Sequence, residues 1–167
     1  MEKKCILTGE AAAMKLRRMA FEIIENNRGV DKIYLAGIHE NGCTLAKLIQ
    51  QELSHFSSLH TELLEIHLNK KNPTECTVQE AQKLSNQVVI VVDDVINSGK
   101  TFLHALVPLL SSSPKQIQTL TLVERSHKTF PVHADYVGIS LATTLEDHIS
   151  VEVENGKILG AYLDAGE

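Results

Sequence analysis

The chain has 167 residues, of which 43% are hydrophobic and 22% charged, a composition typical of a globular protein large enough to bury a core. No apolar run approaches about 20 residues and residues 1–6 lack the apolar stretch of a signal peptide, so we expect no membrane span and a cytoplasmic location. The net charge of −5 resides in residues 145–167, which leaves residues 1–144 neutral and disfavours a general attraction to nucleic acid.

The three cysteines, Cys5, Cys43 and Cys76, are far apart in the sequence. Their spacing matches neither a disulfide framework nor a metal-binding motif. We therefore expect reduced thiols, which agrees with a cytoplasmic location.

Apolar periodicity predicts a long first helix that begins at Thr8 or Gly9 and stops before Gly29. Its expected apolar stripe comprises Ala11, Met14, Leu16, Met19, Ala20, Ile23 and Ile24. The pattern then predicts, in chain order, a strand at 33–38, a helix at 42–54, a strand at 62–68, a polar loop at 69–86, a strand at 88–92, a helix at 101–110, and strands at 117–123 and 136–139. Residues 149–153 and 158–162 flank an Asn-Gly pair and predict a β-hairpin. Strands alternating with helices indicate an α/β fold with an open parallel sheet.

The most informative segment is residues 89–101, which reads Val-Ile-Val-Val-Asp-Asp-Val-Ile-Asn-Ser-Gly-Lys-Thr. Its first four residues show no polar alternation, which predicts a strand buried on both faces. Asp93 and Asp94 follow that strand at the end where parallel sheets bind ligands. Ionised carboxylates accept strongly from vicinal hydroxyls, so these two acids are candidates for holding a sugar.

The residues after the acids form a short loop that opens the next helix. Free backbone N–H groups at a helix start attract a phosphate, and Gly99 permits the tight approach. The candidate phosphate-binding residues are Asn97, Ser98, Gly99, Lys100 and Thr101. Together with the acids they predict a site for a phosphorylated sugar. The alternative is a plain buried strand followed by a turn, with Asp94 as a capping acid and Lys100 as a surface lysine.

This thirteen-residue segment resembles the phosphoribosyl-diphosphate (PRPP) signature of the type I phosphoribosyltransferases. Three other segments extend the resemblance to about residues 6–162. Residues 123–138 are similar to a stretch of the uracil phosphoribosyltransferase and pyrimidine operon attenuation branch. Residues 35–42 lie where the family carries its diphosphate loop, and residues 64–71 where a strand leads into a mobile loop.

The resemblance implies a three-layer Rossmann-like α/β fold: an open, mostly parallel twisted sheet flanked by helices, with a small C-terminal hood or hairpin. It implies one domain over residues 1–167, with hood elements from about 124–167. The implied activity is transfer of 5-phosphoribose from PRPP to a nucleobase, uracil or another, giving a nucleoside monophosphate and diphosphate. Asp93 and Asp94 become the catalytic candidates. The expected cofactor is Mg²⁺, held mainly by PRPP, with these two acids as candidate protein ligands.

Two further groups take part in the implied diphosphate site. The diphosphate loop falls on His39, Glu40, Asn41 and Gly42, where the branch usually has Thr-Arg-Gly in the last three positions. Asn41 therefore replaces the branch's arginine cation, and the neighbouring Glu40 is a carboxylate. Lys70 and Lys71 match basic residues of the mobile loop, with a solvated surface pair as the alternative.

The resemblance also implies a base-binding group: His133, Val137, Leu145 and Glu146. A surface histidine is the alternative for His133, and a structural loop role is the alternative for the matching Arg125 and His127. The branch usually has Lys-Asn-Ile-Pro-Thr where this chain has residues 139–143, which leaves the acceptor base open.

A second function from another class is a regulator that senses PRPP or a nucleoside monophosphate, with or without RNA as a partner. Lys15, Arg17 and Arg18 would form its basic patch, although the nearby Phe21 and the neutral body disfavour RNA. Family members commonly pair, so we expect a homo-oligomer, either a dimer or a tetramer.

Overall fold

The structure is a computed structural model that describes residues 3–69, 75–144 and 147–164. Its elements in chain order are β1 (Lys3–Thr8), α1 (Gly9–Asn26), β2 (Lys32–Ile38), α2 (His39–Phe56), β3 (His60–Leu68), β4 (Cys76–Val78), a 3₁₀ turn (Ala81–Leu84), β5 (Val88–Ile96), α3 (Lys100–Leu110), β6 (Gln116–Arg125), β7 (Tyr136–Leu141), β8 (His148–Glu154) and β9 (Lys157–Asp164). None of the helices within the described ranges is long and apolar enough to cross a membrane.

Six strands form the main sheet in the order β4-β3-β2-β5-β6-β7. The short β4 pairs antiparallel with β3, and the other neighbouring strands are parallel. Alternate residues of β5 enter two apolar cores, one formed with α1 and α2 and the other formed with α3. Both sheet faces are therefore covered, which confirms the predicted α/β layering.

A second sheet of three strands, which we call the hood, has the order β1-β9-β8. The predicted hairpin is confirmed, because Asn155 and Gly156 have φ values of 51° and 73° between β8 and β9. The hood's third strand is β1, which pairs antiparallel with β9 and was not predicted. Within the range 124–167 where hood elements are expected, β7 belongs to the main sheet and β8 and β9 belong to the hood.

The structure extends several predicted elements and adds a short strand. Helix α2 begins at His39 rather than at Gly42, and β5 continues past Val92 to Ile96. The predicted polar loop contains the short strand β4. On α1 the predicted stripe is largely correct, but Met14 is 69% exposed while Ala12 is buried.

A buried polar cluster joins the end of α1 to β6 and β7. The side-chain amides of Asn27 and Gln118 pair through Asn27 Nδ2–Gln118 Oε1 (3.1 Å) and Gln118 Nε2–Asn27 Oδ1 (3.0 Å). The Tyr136 hydroxyl donates to Gln118 Oε1 at 3.0 Å and accepts from Asn27 Nδ2 at 3.3 Å. Since buried polar groups cost free energy when unpaired, this cluster fixes how α1 lies across the sheet.

We predict that Tyr136→Phe lowers the free energy of unfolding by about 1–2 kcal/mol, because it removes one partner from a buried hydrogen-bonded cluster. Urea denaturation measures the change. Tyr162→Phe is the matched control: its ring is partly exposed, and we expect a change within about 0.5 kcal/mol. Equal effects of the two substitutions would contradict a structural role for the cluster.

Candidate functional site

A cleft of about 850 Å³ lies at the carboxyl ends of β2 and β5 and beneath the hood strand β8. Sequence-predicted residues from three segments line it together. They are His39, Glu40 and Asn41 of α2, Asp93 and Asp94 of β5, and Asn97, Ser98, Lys100 and Thr101 of the loop and α3. The crevice thus occurs at the position where parallel α/β sheets bind ligands.

Asp93 and Asp94 enter the cleft because the pairing of β5 with β2 ends at Val92 and Gly37. The strand itself continues along β6, so the acids project from a fixed backbone. Asp93 Oδ1 accepts the Asp94 N–H at 2.9 Å, and Asp94 Oδ1 accepts the N–H of Val95 at 2.9 Å. These local bonds orient both carboxylates.

The loop after β5 forms a tight turn into α3. Gly99 has φ 85°, a left-handed conformation that favours glycine, and a Cβ there would meet the Phe130 carbonyl oxygen at 3.1 Å. The Phe130 N–H in turn donates to the Ser98 carbonyl at 3.0 Å. Gly99 therefore shapes the turn, while Ser98, Lys100 and Thr101 line the cleft at the positive end of the helix dipole.

The predicted diphosphate loop is wrong as a loop: His39 to Gly42 form the first turn of α2. A Cβ on Gly42 would lie 2.6 Å from the Val92 carbonyl oxygen, so the absence of a side chain lets α2 pack directly on β5 beside Asp93. Glu40 lines the cleft and is exposed. The described lining contains three carboxylates, and Lys100 is its one lysine or arginine.

Of the predicted base-binding residues that the structure describes, His133 and Val137 do not line this cleft. His133 is exposed, and its Nδ1 lies 3.3 Å from Lys128 Nζ and 3.6 Å from Glu124 Oε1. The Val137 carbonyl accepts from Arg18 Nη2 at 2.8 Å, on the side of β7 that faces α1. Their role in base binding stays a prediction. Lys70, Lys71, Leu145 and Glu146 lie outside the described residues.

The structure adds lining residues that sequence reasoning missed, namely His148, Ile149, Ser150 and Val151 of the hood strand β8. The hairpin itself was predicted, but nothing in its pattern indicates that it covers the end of β5. Arg125 does not line the cleft: its Nε donates to Thr143 Oγ1 at 2.8 Å and its Nη2 donates to the Thr144 carbonyl. Arg125 thus braces the chain that leads from β7 towards the hood, in line with its structural alternative.

Cys43 lies next to Gly42 and its Sγ donates to the Gly37 carbonyl at 3.4 Å. Burial, with a smaller contribution from the negative charge of Glu65, raises the pKa of the Cys43 thiol to about 11. Since the thiolate is the reactive form, the raised pKa keeps the Cys43 thiol mostly protonated and weakly reactive at neutral pH.

Paired acids, the start of α3 and a covering hood meet at one end of the parallel sheet, an arrangement suited to a phosphorylated sugar. The model of the phosphoribosyl transferase domain matches residues 3–155, and the chain belongs to this family. The family match identifies the protein as a phosphoribosyltransferase, and hence a pentosyltransferase.

Within the family the chain is similar to the bifunctional PyrR proteins. It is 32% identical to that of Staphylococcus saprophyticus, over 92% of this chain and 94% of the relative. It is 35% identical to that of Clostridium kluyveri, over 90% of each chain. These similarities confirm the resemblance to the pyrimidine attenuation branch.

Solved structures confirm the fold. The hypoxanthine phosphoribosyltransferase of Trypanosoma cruzi superposes with a TM-score of 0.79 at 13% identity, covering 98% of this chain and 97% of that one. A hypoxanthine-guanine phosphoribosyltransferase of Bacillus anthracis gives a TM-score of 0.71 at 19% identity, covering 89% and 87%. At these identities the likeness concerns the fold alone.

We predict that Cys43 resists alkylation at pH 7.5 and is modified at least about tenfold more slowly than the exposed Cys5, because its raised pKa keeps the thiol protonated. Its rate should keep rising as pH increases from 9 towards 11. Peptide mass spectrometry after timed iodoacetamide treatment measures both rates, and Cys5→Ser isolates the Cys43 signal. Fast labelling of Cys43 at pH 7.5 would contradict the assignment.

Proposed function

We propose that the protein uses Mg²⁺ to transfer 5-phosphoribose from PRPP to a nucleobase, giving a nucleoside monophosphate and diphosphate. The supporting observation is that Asp93 and Asp94 line the same cleft as Ser98, Lys100 and Thr101. A carboxylate pair suited to ribose hydroxyls thus lies beside a helix start suited to the 5-phosphate. The nature of the base remains a prediction, as do the oligomeric state and the cytoplasmic location.

The residues divide the chemistry between them. Backbone N–H groups around residues 98–101 hold the 5-phosphate, and Asp93 and Asp94 accept from the ribose hydroxyls. As diphosphate leaves, positive charge develops at the anomeric carbon, and the nearby carboxylates stabilise it. One of them also accepts the proton of the incoming ring nitrogen.

The donor set fits a magnesium ion that is held mainly by the substrate. Carboxylate oxygens line the cleft, and hard oxygen ligands suit Mg²⁺. Across residues 3–69, 75–144 and 147–164, no three histidine, cysteine or carboxylate side chains cluster as a complete protein site. When bound, Mg²⁺ would offset the charge of the departing diphosphate.

The proposal predicts that the purified protein converts PRPP and at least one base of a purine and pyrimidine panel into a nucleotide when Mg²⁺ is present. Asp93→Asn and Asp94→Asn should each lower kcat/KM by about a hundredfold or more, because each removes a charge that stabilises the transition state. Chromatography of the nucleotide product measures the rates. Glu25→Gln, on the exposed face of α1, is the control and should stay near wild type. Folded protein that makes no nucleotide with any base of the panel would refute the proposal.

Glu40 carries a charge of the same sign as the diphosphate and lines the same cleft. We predict that Glu40→Gln tightens PRPP binding about three- to tenfold at low Mg²⁺ and less at high Mg²⁺, because like charges repel until a cation offsets them. Calorimetric titration at several Mg²⁺ concentrations measures this, with Glu25→Gln as the control. If Glu40→Gln instead raised the Mg²⁺ requirement, Glu40 would be a ligand of the ion and not a source of repulsion.

A second candidate is a regulator that senses PRPP or a nucleoside monophosphate, favoured by the likeness to relatives described as bifunctional PyrR proteins. Two of the three basic residues proposed for its RNA-binding patch on α1 have protein partners. Arg17 Nε bonds Glu52 Oε2 at 3.2 Å, and Arg18 bonds Glu22 together with two carbonyls of β7. These contacts engage both guanidinium groups. An RNA affinity that falls steeply with salt would restore this candidate.

A further inference from the structure

The free edge of β8 is bonded to two asparagine side chains from the rim of the cleft. Because the hood order is β1-β9-β8, one edge of β8 pairs with β9 and the other faces the main body. Asn97 Nδ2 donates to the Ile149 carbonyl at 3.1 Å, and the Ile149 N–H donates to Asn97 Oδ1 at 3.2 Å. The Asn97 amide therefore occupies the place of a neighbouring strand.

The second contact comes from Asn41 in the first turn of α2. Asn41 Nδ2 donates to the Val151 carbonyl at 3.2 Å and to Asp94 Oδ2 at 2.7 Å. A carboxamide nitrogen has two N–H donors, so both bonds form at once. The bond to Asp94 is the charge-assisted one and therefore the stronger.

The two contacts follow the strand period. Ile149 and Val151 are two residues apart, so their main-chain groups point to the same edge of β8. Their side chains are buried in the core shared with α1 and α2. Burial therefore keeps the hood attached, while the asparagines set its position along the cleft.

The contacts also couple the hood to the groups proposed to hold phosphoribose. With Oδ2 bonded to Asn41 and Oδ1 bonded to the Val95 N–H, the Asp94 carboxylate has one fixed orientation. Asn97 directly precedes Ser98 in the loop after β5. Because Asn97 is bonded to Ile149, a movement of this loop would displace Ile149. When the Asp94 carboxylate and the phosphate loop are already oriented, less entropy is lost on binding the substrate.

We propose that Asn41 and Asn97 are positioning residues that clamp the hood strand β8 to Asp94 and to the phosphate loop, so that the hood and the phosphoribose site order together. This inference rests on the proposed function. It assigns a task to Asn41, which stands where the resembled branch usually has arginine, and to Asn97 in the thirteen-residue segment.

Hydrogen exchange measured by mass spectrometry tests the coupling, with PRPP and Mg²⁺ as the probe. In the wild type, saturating probe should slow exchange about tenfold in residues 93–101 and also in β9, which does not line the cleft. In Asn41→Leu and Asn97→Leu, saturating probe should still slow residues 93–101 but change β9 less than about twofold. Transfer at saturating PRPP should fall about tenfold in Asn41→Leu, since a charge-assisted hydrogen bond orients Asp94.

Gln50→Leu is the matched control, because Gln50 Nε2 donates to the Thr61 carbonyl at 3.0 Å from the same helix but away from the cleft. Gln50→Leu should retain the slower hydrogen exchange of β9 in the presence of PRPP and Mg²⁺, and its transfer rate should stay near wild type. The inference is overturned if the asparagine variants retain the β9 response, or if Gln50→Leu loses it equally. A wild type in which PRPP protects no part of residues 93–101 would refute the proposed function itself, and the clamp with it.

Discussion

The burial of β5 on both faces is the constraint on which the rest of the molecule depends. Val89 to Val92 are fully buried, so the strand requires α1 and α2 on one face and α3 on the other. Charged side chains are tolerated on β5 only where the packing of the helices ends, and Asp93 and Asp94 occur at that end. Helix α2 follows β2 without an intervening residue, and α3 begins soon after β5. Both helix starts therefore converge on the carboxyl end of β5, where their dipoles favour an anion.

The charge balance of the cleft shapes how it recognises a substrate. Three carboxylates face one lysine among the described lining residues. Under the proposed function, backbone N–H groups and a divalent cation brought by the substrate would therefore supply most of the attraction for a phosphorylated sugar. The position of the hood along the cleft likewise depends on asparagine amides and main-chain groups, whose hydrogen bonds depend little on salt.

Sequence reasoning succeeded where the pattern is local and long. The β5 run, the Asn-Gly hairpin and most of the α1 stripe follow from neighbours within a few residues. It failed for β1, in which Leu7 is the one buried residue, and for β4, which has three residues. It also failed at the start of α2, because the polar run from His39 to Gly42 matches the family's diphosphate loop. In the structure His39 has φ 53° and the run forms the first turn of the helix. The packing of Gly42 against Val92 and Asp93 makes that turn helical.

The sequence by itself determined the class of the site, because the acids, the glycine and the helix start lie within thirteen consecutive residues whose geometry is set by their own backbone. Only the tertiary structure decided what encloses the site. Asn41 meets Asp94 across 53 positions and Val151 across 110, and Asn97 meets Ile149 across 52. Contacts of that separation depend on the strand order and on the register at which β8 returns to the cleft. Both are properties of the packed sheet as a whole, and no local pattern encodes them.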